Sequence, residues 1–138
     1  MMIKGLAHVC LSATDLPAVE RFYCEGIGCR KVFNFIRGGA VTGFYLEVAD
    51  NTYIEVFNGG EINTTDRVPI AHFCLETDDI DAVIRRLADN GYAVTEKKLG
   101  ADQSWQVWTQ DPSGVRIEFH QYTPQSSQRT HQDCILNG

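Results

Sequence analysis

Apolar positions along the chain change period in a regular order. Residues 5–12 alternate between apolar and polar, which predicts a half-buried strand. A helix is predicted over about 15–25, with Asp15 as its N-cap and Pro17 in the first turn, where a missing N–H costs little. Gly26 and Gly28 mark its end. Strand-like runs follow near 30–37, 41–49 and 52–58, separated by the turn signals Gly38-Gly39 and Asp50-Asn51. The same order then recurs. A strand is predicted over 69–76 and a helix over about 79–90, with Asp78 or Asp79 as N-cap and Asn90-Gly91 as the stop. Further strands are predicted near 92–98, 104–110 and 115–122, and Asp111-Pro112-Ser113-Gly114 reads as a turn.

The recurrence extends to residue identity. Ala7-His8-Val9-Cys10-Leu11 matches Ala71-His72-Phe73-Cys74-Leu75, and the match continues ungapped through Asp15/Asp79, Ala18/Ala82 and Val19/Val83. Tyr53-Ile54-Glu55-Val56-Phe57 resembles Arg116-Ile117-Glu118-Phe119-His120 at nearly the same offset. Two matches in one order indicate two copies of one module. The fold class read from this is α+β, with two βαβββ modules in one chain forming a curved mixed sheet around a cleft. The expected layout is a single domain over 1–122, made of modules 1–58 and 69–122 joined by a polar linker at 59–68. From 123 to 138 the chain is polar and weakly patterned, a tail expected either to be disordered or to cover a neighbouring subunit.

Composition narrows the class. The 138 residues are 43% hydrophobic and 22% charged, enough for one ordinary globular core. A net charge of -6 disfavours nucleic-acid binding. No run approaches a membrane span, and Met1-Met2-Ile3-Lys4-Gly5 lacks the apolar stretch of a signal peptide. A cytoplasmic protein with no membrane partner is therefore expected. The five cysteines (Cys10, Cys24, Cys29, Cys74, Cys134) are odd in number and contain no CxxC pair, so free thiols are expected.

Strand alternation assigns faces. His8 shares a face with Cys10 and Ser12, opposite Val9 and Leu11; His72 shares one with Cys74 and Glu76, opposite Phe73 and Leu75. Glu55 points with Tyr53 and Phe57, and Glu118 with Arg116 and His120. Each module thus directs one imidazole and one carboxylate towards the cleft. Two carboxylates there are costly to desolvate unless a cation neutralises them. His8, Glu55, His72 and Glu118 are accordingly the expected ligands of one divalent metal per site, with zinc, nickel, cobalt, manganese or iron all compatible. An ion that polarises a substrate oxygen acidifies the adjacent C–H, and a nearby carboxylate can move that proton. Taken singly, each of these residues has an ordinary structural use; the recurrence of the same two types at the same two positions is what a packing role does not require.

Arg116, His120, Gln103 and Trp105 are the candidate substrate contacts. Arg116 could pair with a substrate carboxylate or with a neighbouring strand, and one of Trp105 and Trp108 could line the cleft while the other packs outward. Cys10 and Cys74 are expected to pack as small apolar groups, and His131 to be solvated.

Gly5-Leu6-Ala7-His8-Val9, Tyr53 to Phe57, Ile70 to Phe73, and Asp111 to Glu118 together resemble the vicinal oxygen chelate superfamily, over residues 3–122. That group contains glyoxalase I, bleomycin-resistance proteins, methylmalonyl-CoA epimerase and extradiol dioxygenases. The resemblance implies the paired-module fold and a metal site, and His-Glu-His-Glu is its glyoxalase I pattern. It implies a lyase or isomerase that moves a proton between adjacent carbons of a small oxygen-chelating substrate, such as a 2-oxoaldehyde–thiol hemithioacetal. Glu118 or Glu55 would carry the proton, nickel or zinc would be the metal, and the assembly would be a homodimer. One departure concerns the thiol: where bacterial glyoxalase I has an arginine that contacts glutathione, this chain has Ser12, and Asn58 stands only three residues past Glu55. The alternatives are an epimerase or isomerase acting on a keto acid or sugar-like substrate, and a drug-binding resistance protein without turnover.

Overall fold

The computed structural model describes residues 2, 5–59, 70 and 72–136. The chain divides into two compact units, Met1–Asp66 with Asp111–Val115, and Arg67–Gln110 with Arg116–Gly138. Each unit contains one four-stranded mixed sheet. The expected linker, apart from Gly59, lies outside the described residues.

The first unit runs β1 (His8–Ala13), α1 (Leu16–Arg21), a π-helical turn (Phe22–Gly26), β2 (Arg30–Arg37), β3 (Ala40–Ala49) and β4 (Thr52–Asn58). Its strand order is β1-β4-β3-β2, with β1 parallel to β4 and the other pairs antiparallel. Asp15 caps α1 as expected, its Oδ1 accepting the Ala18 N–H at 3.1 Å. The helix does not stay α-helical to its end. The Ile27 N–H reaches back to the Phe22 carbonyl at 3.2 Å, a widened turn that buries the consecutive rings Phe22 and Tyr23 completely. These rings and Val19 face Phe44, Leu46, Ile54 and Val56, all fully buried, on the covered side of the sheet. The hairpin between β2 and β3 turns on Gly38 and Gly39 at φ 58° and 79°, the pair of positive angles a two-residue hairpin loop demands.

The turn at 111–115 belongs to this first unit. Asp111 organises it: Oδ1 accepts the N–H groups of Ser113 (2.8 Å) and Val115 (3.0 Å). Oδ2 accepts the Tyr23 hydroxyl at 2.8 Å, and the Thr14 N–H donates to Ser113 Oγ at 3.1 Å. Gly114 supplies the positive φ of 88°.

The second unit runs β5 (Phe73–Glu76), α2 (Ile80–Asp89), β6 (Lys98–Leu99), β7 (Trp105–Gln110), β8 (Arg116–Gln121) and α3 (Ser127–Thr130). The order β5-β8-β7-β6 repeats that of the first sheet, with β5 parallel to β8. Asp79 caps α2 by accepting the Ala82 N–H at 3.0 Å, and Asn90-Gly91 ends it, with Gly91 at φ 82°. Ile80 and Leu87 bury against a core that includes Val107, Ile117 and Phe119.

Two expectations are corrected here. The strand predicted over 92–98 is reduced to Lys98–Leu99. Side chains replace part of its ladder: the Trp108 N–H donates to Thr95 Oγ1 at 2.8 Å, and Thr109 Oγ1 donates to the Ala93 carbonyl at 2.7 Å. The tail, expected either to be disordered or to cover a neighbouring subunit, is not disordered through residue 130 and packs there on its own unit. Ser126 is fully buried with its Oγ accepting from Ser104 Oγ at 2.8 Å, the Ser127 N–H bonds the Asp102 carbonyl at 2.9 Å, and α3 follows.

Candidate metal centre

Each sheet carries a His–Glu pair on the face opposite its buried core. In the first unit Cys10 registers with Glu55, and Tyr45 with Glu55 from the other side. Ile54 and Val56 are buried on the covered face, so Glu55 must project to the open one. His8 Nε2 lies 3.9 Å from Glu55 Oε2, and the Tyr45 hydroxyl lies 3.3 Å from His8 Nδ1. Five rings continue this face. Phe33 stacks on Tyr45 at 4.8 Å, Tyr45 on Tyr53 at 5.2 Å, and Phe35 on Phe57 at 4.6 Å between centroids.

The second unit repeats the pair with additions. Cys74 registers with Glu118, Trp108 with Glu118, and Gln106 with His120. His72 Nε2 is 3.6 Å from Glu118 Oε1, and His120 Nε2 is 3.2 Å from the same oxygen. Glu118 is nearly buried, at 8% exposure, and these two imidazoles flank it. The His72 ring meets Trp108 edge-on at 4.7 Å, and the Arg116 guanidinium lies 4.7 Å from the centroid of the same Trp108 ring.

Both cysteines in the repeated segment belong to these faces. Cys10 and Cys74 are exposed rather than packed, which corrects the expectation of small apolar filler. Burial and the adjacent Glu55 carboxylate raise the Cys10 thiol above its ordinary value. Burial first, then the charge of Glu118 and a hydrogen bond to it, push Cys74 up to about 12. The repeat itself was the signal for both, since each cysteine stands two residues after its histidine.

The remaining sequence candidates scatter. Arg116 and His120 lie on the Glu118 face. Trp105 issues from the opposite face, registered with Gln121, and Lys97 Nζ lies 4.9 Å from its ring; Trp108, three residues on, takes the site-facing position instead. Gln103 is a turn residue at φ 65°, whose carbonyl accepts the Thr123 and Ser126 hydroxyls at 2.7 and 3.0 Å. His131 is exposed and ends α3 in a left-handed conformation. Among the described residues no helix is long and apolar enough to cross a membrane.

A family model described as the glyoxalase/bleomycin resistance protein/dioxygenase superfamily matches residues 5–119. No curated protein matches the chain. Among solved structures, the chain is similar to a glyoxalase family protein from Enterococcus faecalis at 20% identity and a TM-score of 0.74, covering 87% of this chain and 99% of that one. It is similar to a lactoylglutathione lyase from Agrobacterium tumefaciens at 21% identity and a TM-score of 0.68, covering 88% and 96%. An antibiotic binding protein from a Streptomyces species gives 21% identity and a TM-score of 0.71 over 89% and 99%. At these identities the likeness is one of fold.

Proposed function

Because the chain belongs to the glyoxalase/bleomycin resistance protein/dioxygenase superfamily, we propose that it is a metal-dependent lyase or isomerase of the glyoxalase I type. Its ligands are His8, Glu55, His72 and Glu118. Its substrate is a small molecule that chelates the ion through two adjacent oxygens, such as a 2-oxoaldehyde–thiol hemithioacetal, and it works as a homodimer in the cytoplasm. The observation that carries this reading is the repeated His–Glu pair, 3.9 Å apart in one unit and 3.6 Å in the other, each on the open face of its sheet.

The donors fit a borderline divalent ion. At 3.9 and 3.6 Å, the imidazole and carboxylate of each pair are close enough that both would serve as donors to one ion. Nickel or zinc suits the set best, and cobalt, manganese or iron is compatible. When bound, the ion polarises the substrate oxygens and makes the adjacent C–H more acidic. Glu118, nearly buried and flanked by two imidazoles, is placed to accept that proton and return it to the neighbouring carbon. Glu55, more open and beside His8, is the alternative carrier.

Turnover of methylglyoxal with glutathione by nickel- or zinc-loaded protein tests the reading, with other thiols and with keto acids in parallel. Activity that is lost in Glu118→Gln or Glu55→Gln while metal content is retained supports it. A fully loaded protein that turns over none of these adducts overturns it.

The stacked rings beside Glu55 favour a second reading, a protein that holds a flat drug-like molecule without turnover. It requires tight binding that is indifferent to metal removal and is weakened by Tyr45→Ala or Phe57→Ala.

A further inference from the structure

The open faces of the two repeats differ at several positions, and one of these differences completes a donor set in the second unit alone. His120 stands two residues after Glu118; its counterpart after Glu55 is Phe57. Cys74, Glu118 and His120 each offer one ligand atom, sulfur, oxygen and nitrogen, and the three lie within 4.8 Å of one another. His120 Nε2 and Glu118 Oε1 are 3.2 Å apart. Ligand atoms on a tetrahedral zinc with bonds of about 2.0 to 2.3 Å stand roughly 3.3 to 3.7 Å apart, so the His120–Glu118 spacing suits such an ion and the sulfur, within 4.8 Å of both, has only a short distance to close. Free cysteine is among the most buried residue types, yet Cys74 is exposed beside a carboxylate.

We propose that Cys74, Glu118 and His120 form a second metal-binding set, contained in the second unit, that takes one thiophilic divalent cation of the zinc and cadmium class. The soft sulfur distinguishes it from the all-nitrogen-and-oxygen set of the proton-transfer reading, with which it shares Glu118 alone. Sharing has a consequence. An ion held by this set occupies the carboxylate that the other site uses, so excess zinc or cadmium lowers turnover that a single nickel equivalent supports.

The test is a titration of the metal-free full chain with cadmium and with cobalt(II), followed by thiolate-to-metal charge-transfer absorption in the ultraviolet. One band per chain is expected. It should disappear in Cys74→Ser and persist in Cys10→Ser and His8→Ala. In His120→Ala the affinity should fall by roughly tenfold or more, as befits loss of one ligand of three. Cys74 is exposed, so Cys74→Ser is expected to retain the parent circular dichroism and to serve as a folded control. A band that survives in Cys74→Ser, metal binding without any band, or no cadmium binding at all overturns the proposal. The outcomes separate from those of the preceding reading: catalysis with no thiolate band removes only this second set, and a Cys74-dependent band in a protein with no turnover removes only the lyase.

Discussion

The Tyr23 hydroxyl donates to Asp111 Oδ2 at 2.8 Å, joining residues 88 positions apart within the first unit. Both are buried, and the other Asp111 oxygen already holds the N–H groups of Ser113 and Val115. The Asp-Pro-Ser-Gly segment that carries much of the family resemblance therefore works through structure. Its carboxylate folds a turn and anchors it to a core tyrosine, and no part of it supplies a metal donor.

Removing the hydroxyl leaves a buried carboxylate oxygen without its partner, in a protein where no described buried side-chain nitrogen or oxygen lacks one. Tyr23→Phe is expected to lower stability by about 1–3 kcal/mol, since the ring still packs and only the hydrogen bond to the carboxylate is lost. Urea unfolding of the two proteins at neutral pH measures this. A change below a few tenths of a kcal/mol would show that water takes over the hydroxyl's place.

Asp111 also predicts a pH dependence. Burial raises its carboxyl above the ordinary aspartate value, and the hydrogen bonds from Val115, Tyr23, Ser113 and Gly114 offset only part of that. A raised folded-state value means the folded protein holds the proton to higher pH than the unfolded chain. The stabilising contribution is therefore full below the unfolded value and is lost as pH rises through the folded one. Compared with Asp111→Asn, the parent should lose stability across that mildly acidic window and then run parallel to the variant at higher pH. A constant difference from acid to neutral pH would remove Asp111 as the source.

Periodicity and caps make much of this fold legible in the sequence alone. Asp15 and Asp79 cap their helices because a short carboxylate before an apolar run can hold a free N–H in either repeat. β4 begins and ends where alternation said it would, because one face of it is buried. The strand at 92–98 was lost because Thr95 and Thr109 bond the backbone with their hydroxyls, a choice that alternation does not record. The order of the tail is not legible in its sequence, because Ser104 and Ser126 are buried as a hydrogen-bonded pair and polar residues read as solvent. The His–Glu pairing followed from the repeat. His120 as a third group on Glu118 did not, since the first repeat has Phe57 there and offers no echo.

Gly43 gives a prediction about the aromatic face. A Cβ at this position would run into the Val56 carbonyl oxygen and come within 2.8 Å of Phe57 Cδ1. The glycine thus leaves the room in which Phe57 stacks on Phe35. Gly43→Ala is expected to cost about 1–3 kcal/mol, as overpacking does, and to displace the Phe57 ring. Thermal and urea unfolding test the first part, and aromatic NMR shifts the second. An alanine variant as stable as the parent, with unchanged ring shifts, would contradict the close approach.

Tyr45 separates orientation of the metal site from stability of the sheet. Its hydroxyl lies 3.3 Å from His8 Nδ1, leaving Nε2 to face Glu55 at 3.9 Å. A partner on one ring nitrogen sets which tautomer the other presents and holds the ring in plane, and losing such a partner commonly weakens metal binding by about tenfold or more. Tyr45→Phe keeps the stacking on Phe33 and Tyr53, so the metal-free protein should unfold at nearly the parent temperature. Calorimetric titration with nickel should then show roughly tenfold weaker binding, in the lower part of the range known for such partners. His8→Ala should lose more than Tyr45→Phe, because it removes the donor and not its support. Equal affinity in parent and Tyr45→Phe would mean that the hydroxyl does not orient His8, and a large fall in the unfolding temperature would mean that its role is in the sheet instead.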